Sequence, residues 1–359
     1  MGLRVHVLRG SMAMQNSRAF LFPMLLNRRA LAEEGVELRF FSGFDAGLAD
    51  CDVLLVDSKA LDRGARTSPG EVLAEWHKRV PVGYFDLTDS ATQVRPELFA
   101  HVTLYFKNQL YRDQGLLRQR LYGQRSYTDY YHRTAGVEDR EPSWSRPLDE
   151  DQLSQLRVAW NAGLANYAPY GPRLAALYDR LPWPALLFYP RSFHEPAAAR
   201  PIDLTCRMNV HYARDSVAYQ RRRTVELLQR YARADRISKR QYYLELRASR
   251  VAVSPFGWGE INQKDFECFL SGTAIVKPDM SGIDTWPAWF EAGVTYVACQ
   301  WDLSDLIAAA EDLLQDDPRR RTIAVAAQER YRAHTSVAGQ ATFRRRLQDL
   351  LGELRARGR

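Results

Sequence analysis

Short runs of β-branched and apolar residues alternate with longer runs of helical period along most of this chain. Val5-His6-Val7-Leu8 reads as a first strand, Phe20 to Glu34 as a helix and Val36 to Phe41 as a second strand. Asp52-Val53-Leu54-Leu55-Val56-Asp57 is a third, apolar in its middle and polar at its end. Glu71 to Arg79 is helical, and Val80 to Phe85 and Val102 to Phe106 are further strands. Strands alternating with helices of this length predict a parallel sheet covered on both faces, because such strands are buried on both sides and read as near-continuous apolar runs.

The rhythm breaks between residues 123 and 150. Gly123 to Tyr131 and Glu141-Pro142-Ser143-Trp144 are polar and aromatic without a clean period, which predicts a long irregular loop. Leu156 to Trp160 and Ala185 to Tyr189 resume the strand pattern, and the prolines at 190, 196 and 201 mark a linker. A second alternating block follows: strand Ile202–Thr205, helix Ser216–Arg233, strand Arg250–Val253, helix Gln263–Ser271, strands Ala274–Val276 and Thr295–Val297, then helices Ser304–Leu314 and Pro318–His334. The expectation is two α/β units, residues 1–195 and 196–335, and a tail at 336–359. In the tail Phe343, Leu347, Leu350, Leu351 and Leu354 recur at helical spacing and arginines fill the other face. That stripe packs back on the body or, as a basic amphipathic helix, touches an anionic membrane surface.

Composition narrows the class. The chain has 359 residues and 46% hydrophobic content, an ordinary globular balance with room for two domains. No run approaches the roughly 20 apolar residues of a membrane span. The opening residues lack a signal peptide's apolar core and cleavage site, and His6 stands where a myristoylation pattern needs Ser or Thr. These readings predict a cytoplasmic protein. Cys51, Cys206, Cys268 and Cys299 form no pair at ligand spacing and read as reduced thiols. The net charge of +7 suits an anionic small molecule, acceptor or membrane. The arginine triplets at 221–223, 319–321 and 344–346 lie in or beside helical patterns, where a solvated face is the ordinary explanation. With no nucleic-acid-binding signature beside them, no nucleic-acid partner is expected.

One segment carries the chemistry. From Arg250 to Pro278 the chain reads strand, glycine loop, helix, glycine stop, strand. Gly257 and Gly259 allow a tight turn and close approach of a ligand. The helix start offers free amides to a diphosphate. Glu267 falls about two turns into that helix, where a carboxylate directed into a cleft can accept from ribose hydroxyls. In open α/β sheets a ligand sits beyond the carboxyl ends of the strands, which is where this loop lies.

The stretch Val253, Gly257, Gly259, Lys264, Phe266-Glu267 and Gly272, followed by Gly293 to Tyr296, Asp302 to Leu306, Asp317-Pro318 and Tyr331, resembles the donor-binding half of glycosyltransferases with two Rossmann-like domains. It is closest to the exostosin-like and spore-maturation-type bacterial transferases, across residues 200 to 335. The resemblance implies a GT-B architecture, two Rossmann-like domains facing across a cleft, with the last helix packed back on the body. It implies a nucleotide-sugar donor as substrate, a glycan or glycolipid acceptor of the bacterial surface and no cofactor. Glu267 would hold the ribose and Lys264 the diphosphate, and the amides near Gly257, Trp258 and Gly259 would stabilise the leaving group. Glu260 and Asn262 belong to the same donor-binding set, and Arg207 and Arg214 are further cations for the phosphates. Lys264 stands where arginine is usual. Glu260 and Glu267 are one residue closer than in the retaining, paired-glutamate transferases, so an inverting transfer is expected. No Asp-x-Asp motif stands in a suitable loop, so no metal is expected and cations do the leaving-group work.

An inverting transfer needs a general base on the acceptor hydroxyl. Asp86 and Asp89, after the strand ending at Phe85, are the candidates, with Asp57 and Lys59 next. The loop from Arg9 to Met12 flanks the same cleft, and His194 and His211 near the linker read as structural. Two alternatives stand beside the transferase: a non-catalytic relative that binds a sugar nucleotide or glycan, and a basic nucleic-acid-binding protein.

Overall fold

The computed structural model describes residues 2–196 and 199–358. Its first unit runs β1 (Leu3–Leu8), α1 (Gln15–Glu33), β2 (Val36–Phe41), β3 (Val53–Asp57), α2 (Ser58–Gly64), α3 (Pro69–His77), β4 (Val82–Asp86), β5 (Leu104–Lys107), β6 (Gln109–Tyr111), α4 (Ser126–Ala135), α5 (Glu150–Gln155), β7 (Leu156–Val158) and α6 (Gly171–Leu177). The second runs β8 (Ile202–Thr205), α7 (Asp215–Leu228), α8 (Lys239–Ala248), β9 (Ser249–Val253), α9 (Gln263–Ser271), β10 (Ala274–Pro278), β11 (Ile283–Thr285), β12 (Val297–Cys299), α10 (Leu306–Gln315), α11 (Asp317–Thr335) and α12 (Val337–Arg357).

The first sheet has the order β2-β1-β3-β4-β5-β7 with every pair parallel. Its strand order reverses between β1 and β3, so the loops after β1, β3 and β4 gather at one end of the sheet, the usual place for a ligand. The second sheet, β12-β10-β9-β8, is also fully parallel. Two Rossmann-like α/β units therefore face each other in the GT-B manner. Central strands β3 and β4 are buried at every residue, which is why they read as unbroken apolar runs.

The units share a core. Phe20, Phe85 and Trp160 of the first unit and Phe266, Trp289 and Tyr331 of the second belong to one buried cluster. A short antiparallel pair crosses between the units, with β6 on β11 in the register Leu110↔Asp284. The last helix also crosses. Phe343, Leu347, Leu350, Leu351 and Leu354 of α12 are buried, and a Cβ on Gly83 of β4 would lie 2.9 Å from the Leu354 side chain. Ion pairs Arg157–Glu353 at 2.5 Å and Arg344–Glu34 at 2.6 Å fix it to the first unit. Its apolar stripe thus faces protein.

Three local expectations change. The irregular stretch 123–150 contains α4, whose Tyr127 and Tyr131, one turn apart, pack at a tilt against Phe256 and Tyr219 of the second unit. Its apolar face is built of tyrosines, which pass for loop residues in a polarity count. Ala185 to Tyr189 forms no strand: Pro184 to Leu186 is a 3₁₀ turn, and Pro182, Pro184 and Pro190 have no N–H for a ladder. The last strand pairs at Val297–Cys299 rather than Thr295–Val297, because the Thr295 hydroxyl is engaged by the Trp289 carbonyl in a turn.

Candidate functional site

The segment from β9 to α9 is built by local rules. The Asp265 carboxylate reaches back to the Asn262 N–H at 2.9 Å and starts the helix, and Gly272 ends it in the left-handed region at φ 62. Asp265 also accepts from the Ser254 hydroxyl at 2.6 Å and pairs with Lys277 at 3.1 Å, both fully buried. The loop between is held by its carbonyls. Arg221 donates to Phe256 O, Tyr127 to Gly257 O and Arg125 to Trp258 O, at 2.6, 2.6 and 3.0 Å. Two of those three donors come from the first unit. Asn262 is engaged at both ends, accepting from Arg221 and donating to Pro255 O.

At the edge of the second sheet a cavity of about 990 Å³ opens over Glu267. Arg207, Asn209, His211, Lys239 and Tyr242 line it with Glu267. The Glu267 carboxylate accepts from the Tyr242 and Tyr243 hydroxyls at 2.9 and 3.1 Å. Burial raises its pKa against the opposing pull of those hydroxyls and Lys239. Lys264, one turn earlier in α9, donates to Val253 O at 3.3 Å. Burial and the nearby Arg221 lower its pKa to about 8, so it is poised to gain from an anionic neighbour. Arg207 is gripped by Glu245 at 2.9 Å and by Asp235 at 2.6 Å, so much of its charge is already answered. Arg214 lies elsewhere, donating to Gly123 O and the Ser143 hydroxyl.

The other half of the site is the seam between the units. Of the residues expected to bind the donor, Arg207 and Glu267 line the large cavity, whereas Gly257, Trp258, Gly259, Asn262 and Lys264 do not, and Glu260 is fully buried away from it. Its carboxylate accepts from Ser90 Oγ at 3.2 Å, the Ala91 N–H at 3.1 Å and Gln109 Nε2 at 2.9 Å, all on the first unit. Burial pushes its pKa up. Gly259 packs so closely on the facing loop that a Cβ there would lie 2.1 Å from Asp89 O. Beside this contact lies a cavity of about 30 Å³, room for a water or two, lined in part by Asn16, Asp89, Asn108, Trp160 and Asn161. Buried Asn108 Oδ1 and Gln109 Oε1 have no partner among the described residues.

The two candidate bases differ sharply. Asp86 accepts from Tyr105 Oη at 2.5 Å and the Thr88 N–H at 2.9 Å and lies 3.4 Å from Lys107 Nζ. Burial works against its charge, but Lys107 and Tyr105 outweigh it and hold the carboxyl below its ordinary value. Asp89 accepts one side-chain bond, from Asn16 at 3.0 Å, and burial raises its pKa. Asp57 caps α2 and accepts from Gly10 N–H at 3.0 Å, so its oxygens are spent on a helix start and on the loop after β1. Asp179 ties Ser11 Oγ and the Met12 N–H of the first loop at 2.7 Å each. The His194 backbone bonds Leu270 O and Gln328, and His211 lies on the large cavity.

Lys239, Tyr242 and Tyr243 escaped the sequence reading, which placed no helix between 233 and 250. A signal was there: Ser238 and Gln241 form the capping box that starts α8. Gln109, Ser90 and Ala91 carried none, since their partner lies 151 to 170 positions away in the chain.

Fold and site together define a two-unit α/β protein of the GT-B type with a large cavity over Glu267 in its second half. Residues 190–351 match the family model described as glycosyl transferase-like. No curated protein matches the sequence. Among solved structures the chain is similar to HepE from Anabaena in complex with UDP and glucose, at 11% identity over 98% of this chain and 99% of that one, TM-score 0.46. It is also similar to a glycosyltransferase from Rickettsia africae, at 8% identity over 98% of each chain, TM-score 0.45. An α-glucosyltransferase in complex with UDP-glucose and DNA containing an abasic site matches at 9% identity over 98% of this chain and all of the other, TM-score 0.41.

Proposed function

We propose that this protein is a glycosyltransferase that moves a sugar from a nucleotide-sugar donor to a glycan or glycolipid acceptor in bacterial surface polysaccharide synthesis, with inversion and without a metal. The observation that carries the reading is the 990 Å³ cavity over Glu267, which lies within the glycosyl transferase-like match. In this reading the nucleoside occupies that cavity, with its ribose hydroxyls donating to Glu267 in place of the tyrosines. Lys264 and Arg207 face the diphosphate, and the N–H groups of Trp258 and Gly259 complete its cradle. Glu260 and Asn262 shape the loop rather than touch the donor.

The acceptor hydroxyl approaches through the seam. Asp89 takes its proton, the oxygen forms the new bond to the anomeric carbon, and the bond to the diphosphate breaks with its electron pair leaving on the phosphate oxygen. Positive side chains and amides answer that charge where it develops. The seam as it stands is too narrow for a sugar ring, so turnover requires Gly259 and Asp89 to part. Release of nucleoside diphosphate from a panel of sugar nucleotides tests the reading. Binding without release, in the presence of membrane and polysaccharide acceptors, would instead favour a non-catalytic sugar-nucleotide binder.

A further inference from the structure

One face of the molecule joins exposed apolar side chains to unpaired cations. Tyr170, Leu177 and Leu181 follow one another at helical spacing along α6 and the turn that extends it, and the tip ends in Trp183. Tyr170 is 68% exposed and Trp183 63%, high values for side chains this large. Pro182, Pro184 and Ala185 around the tip are exposed as well. On the neighbouring helix α8, Arg240, Leu244 and Arg247 form a second exposed stripe at the same spacing. A groove of about 590 Å³ joins the two stripes, lined by Tyr170 and Arg173 from one and by Arg240, Leu244 and Arg247 from the other. No carboxylate lines it. Among the described residues none of the groove's arginines, Arg173, Arg240 and Arg247, is paired with an acidic side chain.

We propose that this face seats the protein on an anionic membrane, with Leu181 and Trp183 entering the headgroup layer and the arginines meeting lipid phosphates. Apolar residues with a rim of unpaired cations match a bilayer interface in both terms, whereas a solvated surface needs neither. A tryptophan on a proline-flanked tip suits the interface, where its ring is half apolar and half polar. The position is also apt. Asp179, between Leu177 and Leu181, is the residue that ties down the loop after β1, and Gln15 and Asn16 just beyond that loop line the seam. The anchored tip therefore stands beside the acceptor side of the cleft. The inference rests on the glycolipid-acceptor reading for its purpose but not for its evidence. It also assigns the membrane contact to a surface other than α12, whose apolar stripe is covered.

Flotation of the full chain with vesicles tests it. The wild type should float with phosphatidylcholine vesicles that contain phosphatidylglycerol, stay behind with phosphatidylcholine alone, and be released by about 0.5 M salt. Leu181→Ser with Trp183→Ser should abolish flotation. Arg240→Glu with Arg247→Glu should weaken partitioning by at least about thirtyfold. Sugar-nucleotide binding should be unchanged in both variants, so loss of flotation is separable from loss of the donor site. Failure of the wild type to float, or variants that float equally well, would overturn the proposal. So would a concentration-dependent dimer dissolved by Trp183→Ser without vesicle binding, which would make a second copy the occupant.

Discussion

The Glu260 carboxylate of the second unit accepts the Ala91 N–H of the first at 3.1 Å, and with it the Ser90 hydroxyl and the Gln109 amide. Three donors from one unit converge on a buried acid from the other. Removing the acid leaves the Ser90 hydroxyl and the Ala91 N–H without that acceptor, while the Gln109 amide keeps the Asp89 carbonyl, at a cost of about 2–4 kcal/mol. Glu260→Ala should lower the melting temperature by roughly 3–5 °C and raise the radius of gyration in solution scattering. Unchanged values for both would mean that the seam is held by other contacts.

Asp89 and Asp86 should separate on kinetics. Asp89→Asn should lower turnover by about 10²–10⁴ with little change in donor affinity. Burial raises the Asp89 pKa, so the wild type should lose kcat/KM, as pH falls, at a value above the ordinary 3.8, and the variant should lack that limb. An unaltered pH profile in Asp89→Asn would place the base elsewhere.

Asp86→Asn should act on stability instead, because it leaves the buried Lys107 ammonium without its counter-charge, at about 3–5 kcal/mol. The native pKa of Asp86 is depressed, so its contribution is present above the unfolded value of 3.8 and lost as pH falls through the native one. Thermal melts of wild type and variant should converge in that acid range. A constant gap across pH would remove the ion pair as the cause.

Lys264, with a pKa of about 8, should make donor binding pH-dependent. Below that value the ammonium is charged and attracts the diphosphate; above it the attraction fades, so the dissociation constant should rise. Lys264→Arg should flatten the curve, and Lys264→Met should weaken binding at every pH. A flat wild-type curve between pH 7 and 9, flanking that value of about 8, would detach Lys264 from the phosphates.

Much of the architecture is legible in the sequence because buried parallel strands leave apolar runs, as at Val53–Val56 and Ala274–Val276. The glycine loop and Glu267 are legible for a similar reason: turn, helix start and carboxylate all fall within one local stretch. What escaped is tertiary. Helix α4 shows tyrosines where a pattern reader seeks leucines, and the pairing of β6 with β11 joins segments too short to stand alone. Glu260 reads like a ligand-binding acid in its own loop, and only the approach of Ser90 and Ala91 shows what its oxygens touch.

The central claim is that Glu267 and its cavity hold the nucleotide of a sugar donor. Calorimetric titration of sugar nucleotides into the wild type and into Glu267→Ala tests it most directly. The account predicts that at least one sugar nucleotide binds the wild type, and that Glu267→Ala, with its melting transition still cooperative, binds it about thirtyfold or more weakly. A wild type that binds none of them, or a folded Glu267→Ala that binds equally well, would contradict it.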